Sequence, residues 1–263
     1  MLDWSDMGAS AAKDGGDGVR VNVATQADLL ADLDRRLDAG HGFTVATLNL
    51  DHVVKLGRDP AFCRAYRAHS HVTADGNPIV WLSRLAGQRV DLVPGSELIG
   101  PLAQLAAQKD IPVAFLGSTA DTLDRAAEVL VARHPGLRVV ARIAPPMGFD
   151  PEGAEIGPCL DRIARSGARL CLLALGAPKQ EIFAARAQDR LPGVGFVSIG
   201  AGLDFLSGRQ VRAPRLLRRL ALEWLWRLAM NPRRLAARYG ACFAVLPQAF
   251  GQALKSRQAQ GRG

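Results

Sequence analysis

An α/β fold with a mainly parallel sheet is what the sequence predicts, on three observations. Between about residue 20 and residue 206, short apolar runs alternate with amphipathic stretches; Gly, Pro, Ser or Asp punctuates the joins; and several of the runs are apolar almost throughout. Strands covered on both faces of a parallel sheet read in this way, whereas strands with one wet face alternate residue by residue. The pattern gives a Rossmann-like sheet with helices on both faces, occupying 19–208, and a small helical C-terminal appendage over 209–254. The ends, 1–18 and 255–263, are rich in Gly, Ser, Ala, Gln and charge and are expected to be disordered.

In order along the chain, the strands are expected at 42–48, 71–74, 113–116, 138–143, 170–175 and 195–199. Helix starts follow them: Thr25 with Asp28, Pro78 after Asn77, Ser96 ahead of Glu97, Thr119 with Asp121, and Pro178 after Gly176-Ala177. Each is a capping or first-turn signal. Beyond Gly208 the spacing predicts helices over 214–230, 232–239 and 241–254, with Pro232 and Gly240 as breaks. In the first of these, Leu216, Leu217, Leu220, Trp224 and Leu228 keep helical spacing while Arg215, Arg218, Arg219 and Arg227 take other angles. With Trp224 and Trp226 among arginines, that composition suits a helix lying in a membrane interface.

Composition excludes several classes. With 48% hydrophobic and 22% charged residues the chain can bury a core. No run reaches the roughly 18 apolar residues that span a bilayer, and the first 18 residues lack the charged-then-apolar pattern of a secretory signal. Cys63, Cys159, Cys171 and Cys242 form no CxxC pair and read as reduced thiols. The net charge of +8 is unevenly spread: from Arg209 onward twelve basic residues face one acid, Glu223, so residues 1–208 carry −3. An anionic partner should therefore meet the C-terminal end. Nucleic acid is the alternative reading of such a tail, but the chain has no helix-turn-helix, zinc or RNP signature and its arginines interleave with Leu and Trp.

Ligands of open α/β sheets bind outside the carboxyl ends of the strands, where helix N-termini offer free N–H groups. Those ends here carry Thr47, Asn49, Asp51 and His52; Asp75 and Gly76; Gly117 and Ser118; Gly176, Pro178, Lys179, Gln180 and Glu181; and Asp204. Neither GxGxxG, GxxxxGK[ST] nor GxSxG occurs. Polar residues on five strand ends nonetheless point to a nucleotide-like ligand, with Gly76, Gly117, Ser118, Gly176, Pro178 and Lys179 as binding candidates. Taken singly, each residue has a plainer reading: an Asp-Gly turn at Asp75, a helix cap at Asn49, helix packing for His52, solvated first-turn positions for Lys179, Gln180, Glu181 and Asp204.

The run Gly176-Ala-Pro-Lys-Gln-Glu181, the pair Thr47-x-Asn49, the turn Ala74-Asp75-Gly76, the segment Gly200-Ala-Gly-Leu-Asp-Phe-Leu-Ser-Gly208, and the tail residues Arg212-Ala-Pro214, Glu223-Trp-Leu-Trp-Arg227, Pro232-Arg-Arg234 and Arg238-Tyr239 occur in this order. Together they resemble the WecG/TagA/CpsF glycosyltransferase family over roughly residues 40–240. The resemblance implies transfer of a sugar from a UDP-sugar, with inversion and with no cofactor or required metal, to a polyprenyl-diphosphate-linked sugar. It places the protein in the cytoplasm, peripheral on the inner face of the cell membrane, with an anionic membrane surface and a homo-oligomer among its partners.

By the same resemblance Asp75 is the catalytic base, Thr47, Asn49 and Gln180 line the pocket, Asp204 accepts the uracil N–H, and Arg227, Arg234 and Arg238 bring positive charge to the leaving diphosphate. Arg209, Arg212, Arg215, Arg218 and Arg219 are expected only to attract anionic lipid. One position departs from the family pattern: Leu92 stands where relatives carry an Arg ahead of Gly95-Ser96-Glu97-Leu98, and Arg89 is the expected substitute. An inactive UDP-binding scaffold is the reading that this departure favours.

Overall fold

The computed structural model describes Leu2 and residues 18–260 except Arg215, Arg218 and Arg219, without the side chains of Arg234 and Gln260. The expectations for residues 3–17 and 261–263, and for those three arginines, fall outside the described residues.

All six expected strands form: β1 (Phe43–Leu48), β2 (His71–Ala74), β3 (Val113–Gly117), β4 (Val139–Ile143), β5 (Leu170–Ala174) and β6 (Gly195–Ser198). They make one sheet in the order β2-β1-β6-β5-β3-β4, every pair parallel. Between them and after them come α1 (Gln26–Asp38), α2 (Leu50–Leu56), α3 (Pro60–Ala68), α4 (Asn77–Leu85), α5 (Gly95–Gln108), α6 (Ala120–Arg133), α7 (Ile156–Arg165), α8 (Lys179–Arg190), α9 (Gly202–Leu206), α10 (Glu223–Met230) and α11 (Pro232–Gln260).

Alternation within each strand divides the core into two layers. Phe43, Val45, Val113, Phe115, Leu170, Leu172 and Val197 pack under α1, α5, α6 and α9. The intervening residues face the other way: Ala114, Leu116, Cys171, Leu173 and Phe196 meet α7 and α8, and Ala46, Leu48, Val72 and Ala74 meet α2, α3 and α4. Each fully buried Leu or Phe contributes about 1.5–3 kcal/mol from burial, so neither layer is dispensable. Because all strands run the same way, their carboxyl ends share one edge. Neighbours β3 and β5 connect onward in opposite directions, which opens a crevice between them at that edge.

Caps form at several expected helix starts. Thr25 accepts from the Asp28 N–H, Asn49 from that of His52, and Thr119 from that of Thr122. Ser96 does not cap: α5 begins one residue earlier, behind Pro94, with no side-chain cap.

The appendage differs from its expected outline. The helix expected over 214–230 is interrupted: Leu216 and Leu217 are helical, Ala221 takes φ +60°, and a regular helix runs from Glu223 to Met230. Beyond Pro232 there is no break at Gly240; a single helix runs to Gln260 across both Gly240 and Pro247, past the expected end at residue 254. A helical Gly costs only about 1 kcal/mol, and tertiary packing outweighs it. Ala249 and Ala253 are buried against Leu82 of α4 and Ala86 at its C-terminal cap, and Trp224 of α10 meets Tyr239 and Phe243 of α11 edge-on, at 5.8 and 5.5 Å between centroids. Trp224 therefore holds the two appendage helices together rather than facing outward. No helix among the described residues is long and apolar enough to cross a membrane.

Gly117 closes β3 with φ +121°, and a Cβ there would lie 2.4 Å from the carbonyl carbon and oxygen of Ala174 on β5. The strand end needs both the left-handed backbone and the missing side chain. Gly117→Ala is expected to lower unfolding stability by about 1–3 kcal/mol, read from the midpoint of thermal or urea denaturation.

Candidate active site

Asp75 follows β2, and its backbone N–H donates to Leu48 O at 2.7 Å, so the end of β1 fixes where the carboxylate stands. Gly76 turns the chain into α4 with φ +121°. From β1, the Thr47 hydroxyl donates to Asp75 Oδ2 at 3.3 Å, and the Asn49 side chain also hydrogen-bonds the carboxylate while capping α2. Asp75 titrates near 6. Loss of water on burial drives it up, helped by nearby Glu223, while Arg227, Thr47 and Asn49 pull it down without cancelling that effect.

Both charged neighbours come from the appendage. Glu223 and Arg227 lie one turn apart on α10, with Arg227 Nε and Nη2 donating to Glu223 Oε1 at 3.1 and 2.6 Å. The Arg227 guanidinium also sits 5.7 Å from the centre of the Phe205 ring on α9. Glu223, the one acid of the basic tail, was not among the site residues that sequence reasoning selected, although that singularity was a visible signal.

Arg238 is placed differently from Arg227. It pairs with Asp51 at 2.8 Å, and Lys55 reaches the same oxygen at 2.8 Å. Burial alone would raise the Asp51 carboxyl, but Lys55 and Arg238 outweigh it and hold it below the ordinary range. Arg238 thus ties α11 to α2 and is not among the groups whose charge Asp75 feels. Arg234 lies on α11, and its side chain is outside the described residues.

The end of β5 supplies Gly176, Pro178, Lys179, Gln180 and Glu181. Gln180 is buried; its Oε1 accepts from Gly200 N at 3.3 Å and its Nε2 donates to Glu181 Oε1 at 2.8 Å. Glu181 corrects an expectation. It is 0% exposed rather than solvated, its Oε2 has no hydrogen-bond partner, and burial lifts its titration to about 7. Lys179 is half-buried. His52 donates to or accepts from Tyr66 at 2.6 Å in a buried aromatic cluster, and burial lowers its titration to about 3, so it is a neutral packing residue.

At the crevice between β3 and β5, the Ser118 hydroxyl donates to Asp204 Oδ1 at 2.8 Å and Gln210 Nε2 donates to Oδ2 at 3.0 Å. Leu92 lies alongside Ala74 with 40% of its surface exposed. Arg89 lines a cavity of about 610 Å³ with Thr25, Arg84, Asp91 and Arg257, and none of Thr47, Asn49, Asp75 or Gln180 is in its lining. Among the described residues no three His, Cys, Asp or Glu side chains are grouped to hold a metal ion.

A carboxylate titrating near neutrality, ringed by hydroxyl, amide and guanidinium groups at the carboxyl edge of a parallel sheet, is the apparatus of a group-transfer enzyme. The sequence matches the profile of the glycosyl transferase WecG/TagA/CpsF family over residues 17–262, and the chain belongs to that family. A relative from Bacillus spizizenii strain W23, an N-acetylglucosaminyldiphosphoundecaprenol N-acetyl-β-D-mannosaminyltransferase, is 28% identical over 199 residues, covering 75% of either chain.

The buried carboxyl of Glu181 gives stability a pH dependence. Below about 4.5 the group is protonated in folded and unfolded chains alike; between there and about 7 the unfolded chain releases the proton while the folded one keeps it, so stability falls as pH rises. Glu181→Gln removes this loss. The variant should gain on the wild type between pH 4.5 and 7.5 by on the order of 3 kcal/mol, measured by urea unfolding across that range.

Proposed function

We propose that this glycosyltransferase moves a sugar from a UDP-sugar, with inversion, to a hydroxyl of a polyprenyl-diphosphate-linked saccharide used in bacterial cell-surface polysaccharide synthesis. The donor sugar is N-acetylmannosamine, its uronic acid, or a related hexose. The observation that carries the reading is Asp75: half-buried, held by Thr47 and Asn49, and titrating near 6. The activity of the Bacillus relative supports the acceptor class.

In the proposed reaction the acceptor hydroxyl oxygen attacks the anomeric carbon from the face opposite the diphosphate. The new C–O bond forms as the bond to the phosphate oxygen breaks, the hydroxyl proton passes to Asp75, and UDP leaves with the bonding pair. A base titrating near 6 is ionised at neutral pH yet basic enough to take that proton. Arg227, which faces Asp75, offers positive charge for the diphosphate as it departs. Gln180, with its amide oriented by Glu181 and Gly200, and Asp204, with Ser118 and Gln210, would hold the two ends of the donor.

A membrane-facing appendage fits the acceptor. Leu216, Leu220, Leu225 and Met230 expose 46–67% of their surface beside the arginines of the basic tail, a mixture that suits an anionic lipid surface.

The test is transfer of radiolabelled sugar from a panel of UDP-sugars to a polyprenyl-diphosphate-GlcNAc analogue. The wild type should transfer from at least one donor, and Asp75→Asn should lose roughly 10²–10⁴-fold in kcat. The wild-type rate should climb with pH through about 6 as Asp75 ionises. UDP binding without transfer from any donor would favour the inactive scaffold and sink the proposal.

A further inference from the structure

Arg212 reads in the sequence as one of many tail cations, yet its surroundings are not those of a solvated charge. Its Nη2 donates to Glu97 Oε1 at 2.7 Å. Its guanidinium carbon lies 5.9 Å from the centre of the Phe205 ring, and its Nε is enclosed without any acceptor. A guanidinium has five donors in a fixed fork. Here one Nη is committed, and a buried N–H lacks the partner that buried donors almost always have.

Phe205 is thereby flanked by two guanidiniums, Arg212 at 5.9 Å and Arg227 at 5.7 Å. Each is oriented by one carboxylate, Glu97 for the first and Glu223 for the second. The residue before Phe205 is Asp204, bound to Ser118 at the end of β3. Arg227, on the other hand, is felt by Asp75 at the end of β2. The arginine pair therefore joins the Asp204 pocket to the carboxylate proposed as base. A diphosphate joins a nucleoside to the sugar it delivers in the same sequence.

We infer that Arg212 binds the donor's diphosphate, together with Arg227. It supplies a cation from the connection between α9 and α10, whereas Leu92, in the loop between α4 and α5, offers none. Planar fork-on-oxygen contacts favour arginine for this task. Glu97 presets the side chain, so little freedom is lost when phosphate oxygens arrive. The inference rests on the UDP-sugar reading above, and it makes the appendage and the chain leading to it part of the donor site.

The experiment is calorimetric titration of UDP and, separately, uridine into the full-length wild type, Arg212→Ala and Arg212→Lys. Loss of at least tenfold in UDP affinity with unchanged uridine affinity is expected for the Ala variant. The Lys variant should fall between, since it keeps the charge without the fork. Donor KM in transfer assays should rise in parallel while acceptor KM stays put. Unchanged UDP affinity in Arg212→Ala overturns the inference, and so does an equal loss of UDP and uridine, which would mean that Arg212 merely props the Phe205 region. A wild type that binds no UDP sinks the UDP-sugar reading itself, whereas wild-type binding that Arg212→Ala leaves intact removes only the role of Arg212.

Discussion

Parallel pairing of all six strands is the constraint from which the rest follows. A parallel sheet has to be covered on both faces, and each crossover returns the chain to the same starting edge. Every carboxyl end then opens at the opposite edge, which cannot be filled with apolar side chains without burying the unpaired groups of the helix starts. Polar residues gather there of necessity. Thr47, Asp75, Ser118, Gln180 and Asp204 come from five different strand ends, and three of the contacts among them and their surroundings, Thr47 to Asp75, Ser118 to Asp204 and Gly200 to Gln180, link strand ends that are distant in sequence.

The core alone does not set the chemistry of that edge. Burial by the core raises Asp75, but the opposed influences of Arg227 and Glu223, both from α10, adjust it. Among the described residues the appendage meets the core through Arg238 on Asp51, Arg212 on Glu97, Arg227 on Phe205 and Ala249 and Ala253 beside α4, while Trp224 on Tyr239 and Phe243 joins its own two helices. Of the two ion pairs, Arg212–Glu97 is open to screening by salt, whereas the Asp51 partner of Arg238 is largely shielded from solvent. The Arg227–Phe205 contact and apolar packing carry the remainder.

The six strands were legible because double-sided burial writes an uninterrupted apolar run, and the caps at Thr25, Asn49 and Thr119 because capping is local chemistry. What escaped was set by contacts between distant segments. Glu181 has the sequence setting of a wet first-turn acid; the packing of α8 within the core hides it. Arg212 was indistinguishable from Arg209 until Glu97 and Phe205 were seen beside it. Gly240 looked like a break because a glycine penalty is local, whereas the seat of α11 on α2 and α4 is not. Family motifs gathered Asp75 with Thr47 and Asn49, which the fold brings into hydrogen-bond contact with it; they also gathered Gln180, whose side chain meets Gly200 and Glu181, and Arg238, which pairs with Asp51 while Arg227 meets Glu223.

The unbroken course of α11 has a mechanical meaning. A 29-residue helix with no intervening loop acts as a strut, pinned near its start by Arg238 and near its end by Ala253. Prising the far end from α4 loads the turn at Pro247, where one helix hydrogen bond is missing, and the displacement that turn passes on reaches the Asp51 anchor and, through Trp224, the short helix that carries Glu223 and Arg227. The charges beside Asp75 are in this sense wired to a seat several helical turns away.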